Sequence, residues 1–215
     1  MSDNYGTSPQ AYLARARRCL EHGTKEGLFH AAFELRCCVE ARLAEYFELC
    51  ESLAGKRLQM HKATDNQRTV NAITSGDVIS SITFRLPDGT VLRQFHTPVP
   101  VSLQAYVKCG IDHLRHAQRE YRPADDIWWS ETRAELLRAY RAAWITCRGE
   151  MPLPPLWNVD TGEMHPVHVL FDDRNRAALQ RFSDPRNMFM EIEVDRLDKP
   201  PVDWVCNLLG EAQGL

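Results

Sequence analysis

Leu28, Ala32, Leu35, Val39, Leu43, Tyr46, Cys50 and Leu53 recur at spacings of 4, 3, 4, 4, 3, 4 and 3. That rhythm is the period of an α-helix, held over about seven turns. A second stripe of Phe29, Phe33, Cys37, Ala44 and Phe47 widens the apolar face, so the helix needs cover from more than one neighbour. Ahead of it, Ser8-Pro9 places a capping hydroxyl and a first-turn proline at the head of a shorter helix carrying Tyr12, Leu13, Ala16 and Leu20. Gly23 stops that helix, Thr24 caps the next, and so short a break predicts an antiparallel helical hairpin. Gly55 marks the end of the long helix.

Residues 56–77 are polar and mixed, as suits a connection or a short helix. From Ile79 the period changes to two. Ile82, Phe84 and Leu86 alternate with Ser81, Thr83 and Arg85, which predicts a strand buried on one face only. Leu86-Pro87-Asp88-Gly89 predicts a tight turn, and residues 91–96 the returning strand. Leu103, Val107, Leu114 and Tyr121 predict a helix over 102–121, ended by Pro123. Ser130 is the expected cap of a helix reaching Arg148, with Leu136, Leu137, Tyr140, Trp144 and Cys147 on one face and Gly149 after it. Met151-Pro-Leu-Pro-Pro155 reads as a stiff linker. Beyond it, strands are expected at 167–171 and 188–194, with a short helix over 175–182 between them. The class is therefore α+β, an N-terminal hairpin with a long second helix joined to a mixed region with a β-hairpin, two further helices and C-terminal strands. The division is 1–77 for the helical hairpin region and 78–215 for the mixed α+β region, or one continuous domain.

At 215 residues, a chain buries about 70% of its unfolded surface. It needs neither disulfides nor a metal to hold a core. An apolar content of 44% and a charged content of 26% exclude a disordered or fibrous chain. A net charge of −3 argues against a histone-like, charge-driven nucleic-acid binder, while a local basic face stays open. The cysteines, Cys19, Cys37, Cys38, Cys50, Cys109, Cys147 and Cys206, include no CxxC pair and read as reduced, buried thiols. The first ten residues lack an apolar signal core, and no apolar run reaches the ~20 residues of a membrane span. A cytoplasmic location without membrane contact is expected.

The run Tyr12-Leu-Ala-Arg-Ala-Arg-Arg-Cys-Leu20, then His22-Gly23, then Ala31-Ala-Phe-Glu-Leu-Arg-Cys-Cys-Val-Glu-Ala-Arg-Leu43 resembles the opening two helices of HEPN domains. Those are small helical bundles of bacterial toxin–antitoxin, phage-defence and RNA-cleaving systems. The resemblance spans about residues 8–54. It implies a helical bundle and, in catalytic members, a closely spaced Arg and His on a late helix, which stabilise phosphate charge and move a proton. Here Arg17 and His22 have the spacing but stand on the first helix. Arg57 and His61 are the remaining catalytic candidates, just after the long helix. The late helix over 102–121 carries His113 and His116 with no Arg at the required distance before either. The ribonuclease activity is therefore not carried over by the resemblance.

Cys109, His113 and His116 stand at i, i+4 and i+7 of that helix, on one face and extended by Glu120. Cys plus two His is a competent zinc set. A triad on one helix with no distant ligand is nevertheless rare among structural zinc sites, so no metal and no cofactor are expected. His165 and His168 would point to opposite faces of a strand. Asp172-Asp173 reads as a helix cap rather than a cation site.

Arg138, Arg141 and Arg148 fall within about a quarter-turn sector of the last long helix, with Trp128 and Trp129 just upstream. Arginine beside aromatic rings grips single-stranded nucleic acid and also makes protein-interface hot spots. A solvated face with two tryptophans anchoring the helix is the third reading. No phosphate-binding Gly loop, nucleophile elbow or HExxH is present. The expected function is a non-enzymatic binding or assembly module, in a bacterial defence or toxin–antitoxin setting. Self-association or a protein partner through the long helix is expected. The alternative is a small hydrolase, either a HEPN-like ribonuclease with a displaced Arg/His pair or a zinc-dependent enzyme.

Overall fold

The computed structural model describes residues 6–54, 78–86, 88–107, 126–150, 191–208 and 211–213. Helix α1 covers Pro9–His22 and α2 covers Lys25–Ala54. Strands β1 (Ile79–Arg85) and β2 (Val91–His96) follow, then a short α3 (Val101–Ala105) and a long α4 (Asp126–Thr146). Strands β3 (Glu191–Leu197), β4 (Cys206–Leu208) and β5 (Glu211–Gln213) complete the described chain. The class is α+β.

The hairpin forms from its local signals. Ser8 Oγ accepts the amide of Ala11 at 3.2 Å, and Pro9 opens α1. Gly23 takes φ 67°, a left-handed conformation that side chains resist. Thr24 Oγ1 then accepts the Gly27 amide at 3.0 Å, heading α2. Across the hairpin, Arg15 Nε meets Glu34 Oε2 at 2.9 Å. At 1.5 Å per residue, α1 is about 21 Å long and α2 about 45 Å. Helix α1 therefore lines less than half of α2, and α4 packs against both.

One apolar core unites these elements. Leu13, Ala16 and Leu20 of α1 meet Leu28, Ala31, Ala32, Leu35 and Val39 of α2, and Leu136, Ala139, Tyr140 and Ala143 of α4. Cys206 and Leu208 of β4 join from the C-terminal side. On α4 the buried face is turned toward Ala139 and Ala143, while Leu137, Trp144 and Cys147 lie at the core's edge. Small residues at the contact let the helices approach closely, and that overrides the larger side chains in setting the face.

Strands β2, β1 and β3 form an antiparallel sheet in that order, with Phe84 opposite both Leu92 and Ile192. Gly89 donates its amide to the Leu86 carbonyl at 2.9 Å and takes φ 84°, giving the expected turn. Strands β4 and β5 form a separate antiparallel pair that the hydrophobic pattern does not announce.

Three expectations are corrected. Strand β1 is buried on both faces, Ser81 and Thr83 included. It is the central strand, and Arg93 of β2 reaches diagonally to give its Nε to Ser81 Oγ at 2.8 Å. On that face Arg93 lies over the Phe95 ring, which meets Trp204 edge-on at 5.0 Å between centroids. Small hydroxyl residues that look solvent-facing are thus roofed by longer neighbours. Helix α4 begins at Asp126, not Ser130, because Trp128 and Trp129 are drawn into its first turns by packing. The C-terminal strand runs on to Leu197, past the expected end at 194, because Glu191–Leu197 pairs with β1 along its length, while 188–190 lie outside the described residues. Of the helix expected over 102–121, the described part is the start at Val101–Ala105. Gly55, the linker at 151–155, and the elements expected at 167–171 and 175–182 lie outside the described residues.

Candidate functional site

Arg42 stands within the apolar face of α2, four residues after Cys38 and four before Tyr46. It is only 4% exposed, and a buried guanidinium must be bonded on several sides to be tolerated. Its Nε donates to Tyr46 Oη at 3.1 Å, one Nη to Glu45 Oε2 at 2.7 Å, and the other Nη to the Gly149 carbonyl at 2.8 Å. The fully buried Tyr46 hydroxyl donates in turn to the Thr97 carbonyl. Burial pushes the Tyr46 phenol up to about 12, against the pull of the neighbouring Arg42 charge.

The network continues through two threonines. Thr97 Oγ1 donates to the Thr146 carbonyl at 2.7 Å and accepts the Gly149 amide at 3.0 Å. Thr146 Oγ1 lies 3.0 Å from the Ala142 carbonyl and 3.2 Å from that of Pro98. Gly149 is required here, since a Cβ would come within 2.2 Å of Thr97 Oγ1 and 2.7 Å of the Thr97 amide nitrogen. The result ties α2, the segment after β2 and the end of α4 into one knot. Its groups are spent on each other, which suits a staple rather than catalysis.

Two thiols lie beside the knot. Cys38 Sγ, on α2, is 3.6 Å from Cys147 Sγ, in the turn after α4. Cys38 is buried and Cys147 half-buried. The hydrogen bond shared with Cys38 and the positive charge of Arg42 bring the Cys147 thiol below the usual range, despite its desolvation. The same hydrogen bond and burial push Cys38 up. The sequence reading did not find this cluster. The one local signal was an arginine where the 3–4 spacing calls for an apolar residue.

The arginine edge of α4 does not form one surface. Arg138 is exposed and lines a cleft of about 350 Å³ between α3 and α4, with Ser102, Tyr106 and Glu135. In that cleft the Tyr106 hydroxyl is shielded from solvent and has no hydrogen-bond partner among the described residues. Burial, then Glu135, pushes it up to about 12. Arg141 is half-buried, its Nε shielded and without a partner among the described residues. Arg148 stacks over Trp144 at 4.6 Å and lies 6.0 Å from the Trp204 centroid. Trp128 and Trp129 belong to the other end of α4, about 30 Å from Arg148 by helical rise. Trp129 meets Phe29 edge-on at 5.9 Å, with Lys25 Nζ 5.1 Å from its ring, so it anchors α4 on α2.

Arg17 is held by Glu21 at 2.7 Å on the exposed side of α1, and His22 ends that helix. Arg57, His61, Cys109, His113, His116, Glu120, His165, His168, Asp172 and Asp173 lie outside the described residues. Among the described residues no cluster of three His, Cys, Asp or Glu side chains is placed to hold a metal ion, and no helix is long and apolar enough to cross a membrane. Set against protein-family models, curated proteins and solved structures, the chain matches none.

Proposed function

We propose that the chain is a non-enzymatic binding or assembly module that associates through α2, with a second copy of itself or a stable protein partner. The observation that carries this reading is Phe33. It stands in the first third of α2 and is 59% exposed, with the half-buried Cys37 one turn on. Leu28, Ala31, Ala32, Leu35, Cys38, Val39, Tyr46 and Phe47 of the same helix are buried in the core, so Phe33 stands out among them. Burying such a ring at an interface returns about 1–2 kcal/mol, and the Arg36–Glu40 ion pair at 2.6 Å supplies a polar rim beside it.

The resemblance of residues 8–54 to the opening two helices of HEPN domains motivates a HEPN-like origin for the hairpin. On that origin, the module would serve in a bacterial defence or toxin–antitoxin setting. The test is light scattering on purified protein at micromolar concentration, paired with a pull-down from the native cell. A dimer or a stoichiometric partner is expected. A strict monomer that recovers no partner would contradict the reading.

A further inference from the structure

We propose that Cys38 and Cys147 are a hydroperoxide-oxidisable dithiol, whose disulfide reversibly ties α2 to the C-terminal end of α4. The two residues are 109 positions apart in the chain, yet their sulfurs stand 3.6 Å apart. A disulfide needs about 2.05 Å between sulfurs, so an approach of about 1.5 Å closes it. The backbone around them is already held in register, because Arg42, one turn beyond Cys38, grips the carbonyl of Gly149, two residues beyond Cys147.

The two thiols are unequal in a way that suits sequential oxidation. Cys147 is half-buried and can meet a small peroxide, whereas Cys38 is enclosed. The hydrogen bond shared with Cys38 and the Arg42 charge lower the Cys147 thiol, and the thiolate is the reactive form. In the first step the Cys147 thiolate sulfur attacks the terminal oxygen of the hydroperoxide. A sulfur–oxygen bond forms and the oxygen–oxygen bond breaks. Cys147 becomes a sulfenic acid, and the leaving alkoxide takes up a proton to give an alcohol. In the second step the Cys38 sulfur attacks the Cys147 sulfur. The sulfur–sulfur bond forms, and water leaves carrying the Cys38 proton. Two thiols supply the two electrons that reduce one hydroperoxide to alcohol and water. A dithiol reductant restores the starting pair.

Cys19 and Cys37 provide internal controls, since both are half-buried and burial pushes both thiols up. The experiment treats the full chain with one equivalent of methyl hydroperoxide, alkylates the remaining thiols and maps the peptides by mass. The expected product is a Cys38–Cys147 cross-link, with Cys19 and Cys37 alkylated and Cys147 consumed about tenfold faster than Cys37. In Cys38→Ala, Cys147 should accumulate as a sulfenic acid trapped by dimedone. Cross-links distributed among other cysteines, or equal consumption of Cys37 and Cys147, would overturn the proposal. The wild-type map decides the matter even where the variant folds poorly.

Discussion

Arg42 on α2 donates to the backbone carbonyl of Gly149 at 2.8 Å, across 107 residues of chain. A charged side chain from the most apolar helix thereby fixes where α4 ends. Replacing Arg42 with Met keeps the volume but strands the Gly149 carbonyl and removes the donor to Tyr46. Hydrogen bonds to charged groups are worth about 1.5–3 kcal/mol each, and Glu45 is too exposed to add much. Arg42→Met is expected to lower unfolding stability by about 2–4 kcal/mol in urea titrations. A loss under about 0.5 kcal/mol would mean the network is incidental.

Gly149→Ala tests the same knot from its other end. The added Cβ meets Thr97 Oγ1 at 2.2 Å and the Thr97 amide nitrogen at 2.7 Å, and backbone must give way. Overpacking of this kind costs about 1–3 kcal/mol, which for a chain of this size lowers Tm by about 2–12 °C. Scanning calorimetry that finds Tm unchanged would show that the Gly149 turn moves freely.

Alkaline pH should unlock the knot in a defined window. The Tyr46 phenol is pushed up from its ordinary value of 10.0 to about 12 by burial. Below pH 10 the phenol keeps its proton in both states, and the stability it contributes is fully present. Between pH 10 and 12 the unfolded chain releases the proton while the folded chain holds it, so stability falls as pH rises. The slope is at most about 1.4 kcal/mol per pH unit. Urea titrations of wild type and Tyr46→Phe should therefore converge as pH climbs through this window. Parallel curves would contradict the assignment.

The hairpin was legible because its instructions are local. Ser8-Pro9, Gly23 and Thr24 each act on residues within one turn, and each cap appears where the residue type demands it. The β1–β2 pair was legible for the same reason. What escaped was decided by distant partners. Ser81 is buried because Arg93 and Phe95 roof it. Trp129 enters a helix because Phe29 receives it. The partners of Arg42 and Tyr46 in the knot include Thr97 and Gly149, far along the chain, so nothing local marks the arginine as a staple. The arginine edge of α4 shows the converse. Helical spacing aligned Arg138, Arg141 and Arg148, but the neighbours gave each a different environment.

That division has a measurable consequence. Arg148 stacks over Trp144, whereas Arg138 faces an open cleft. Arg148→Ala should lower stability by about 0.5–1 kcal/mol through the lost ring contact. Arg138→Ala should stay within about 0.5 kcal/mol of wild type. Equal effects in thermal melts would show that the stacking contributes nothing.

Assembly through α2 rests on Phe33, exposed in the first third of a 30-residue helix. The most direct test is multi-angle light scattering on wild type and Phe33→Asp over the same micromolar concentration series, with circular dichroism to confirm that both fold. The account predicts that wild type elutes as a dimer or larger, or with a bound partner, and that Phe33→Asp elutes as a monomer with unchanged helicity. Identical masses for the two proteins at every concentration, with no partner bound to either, would contradict it.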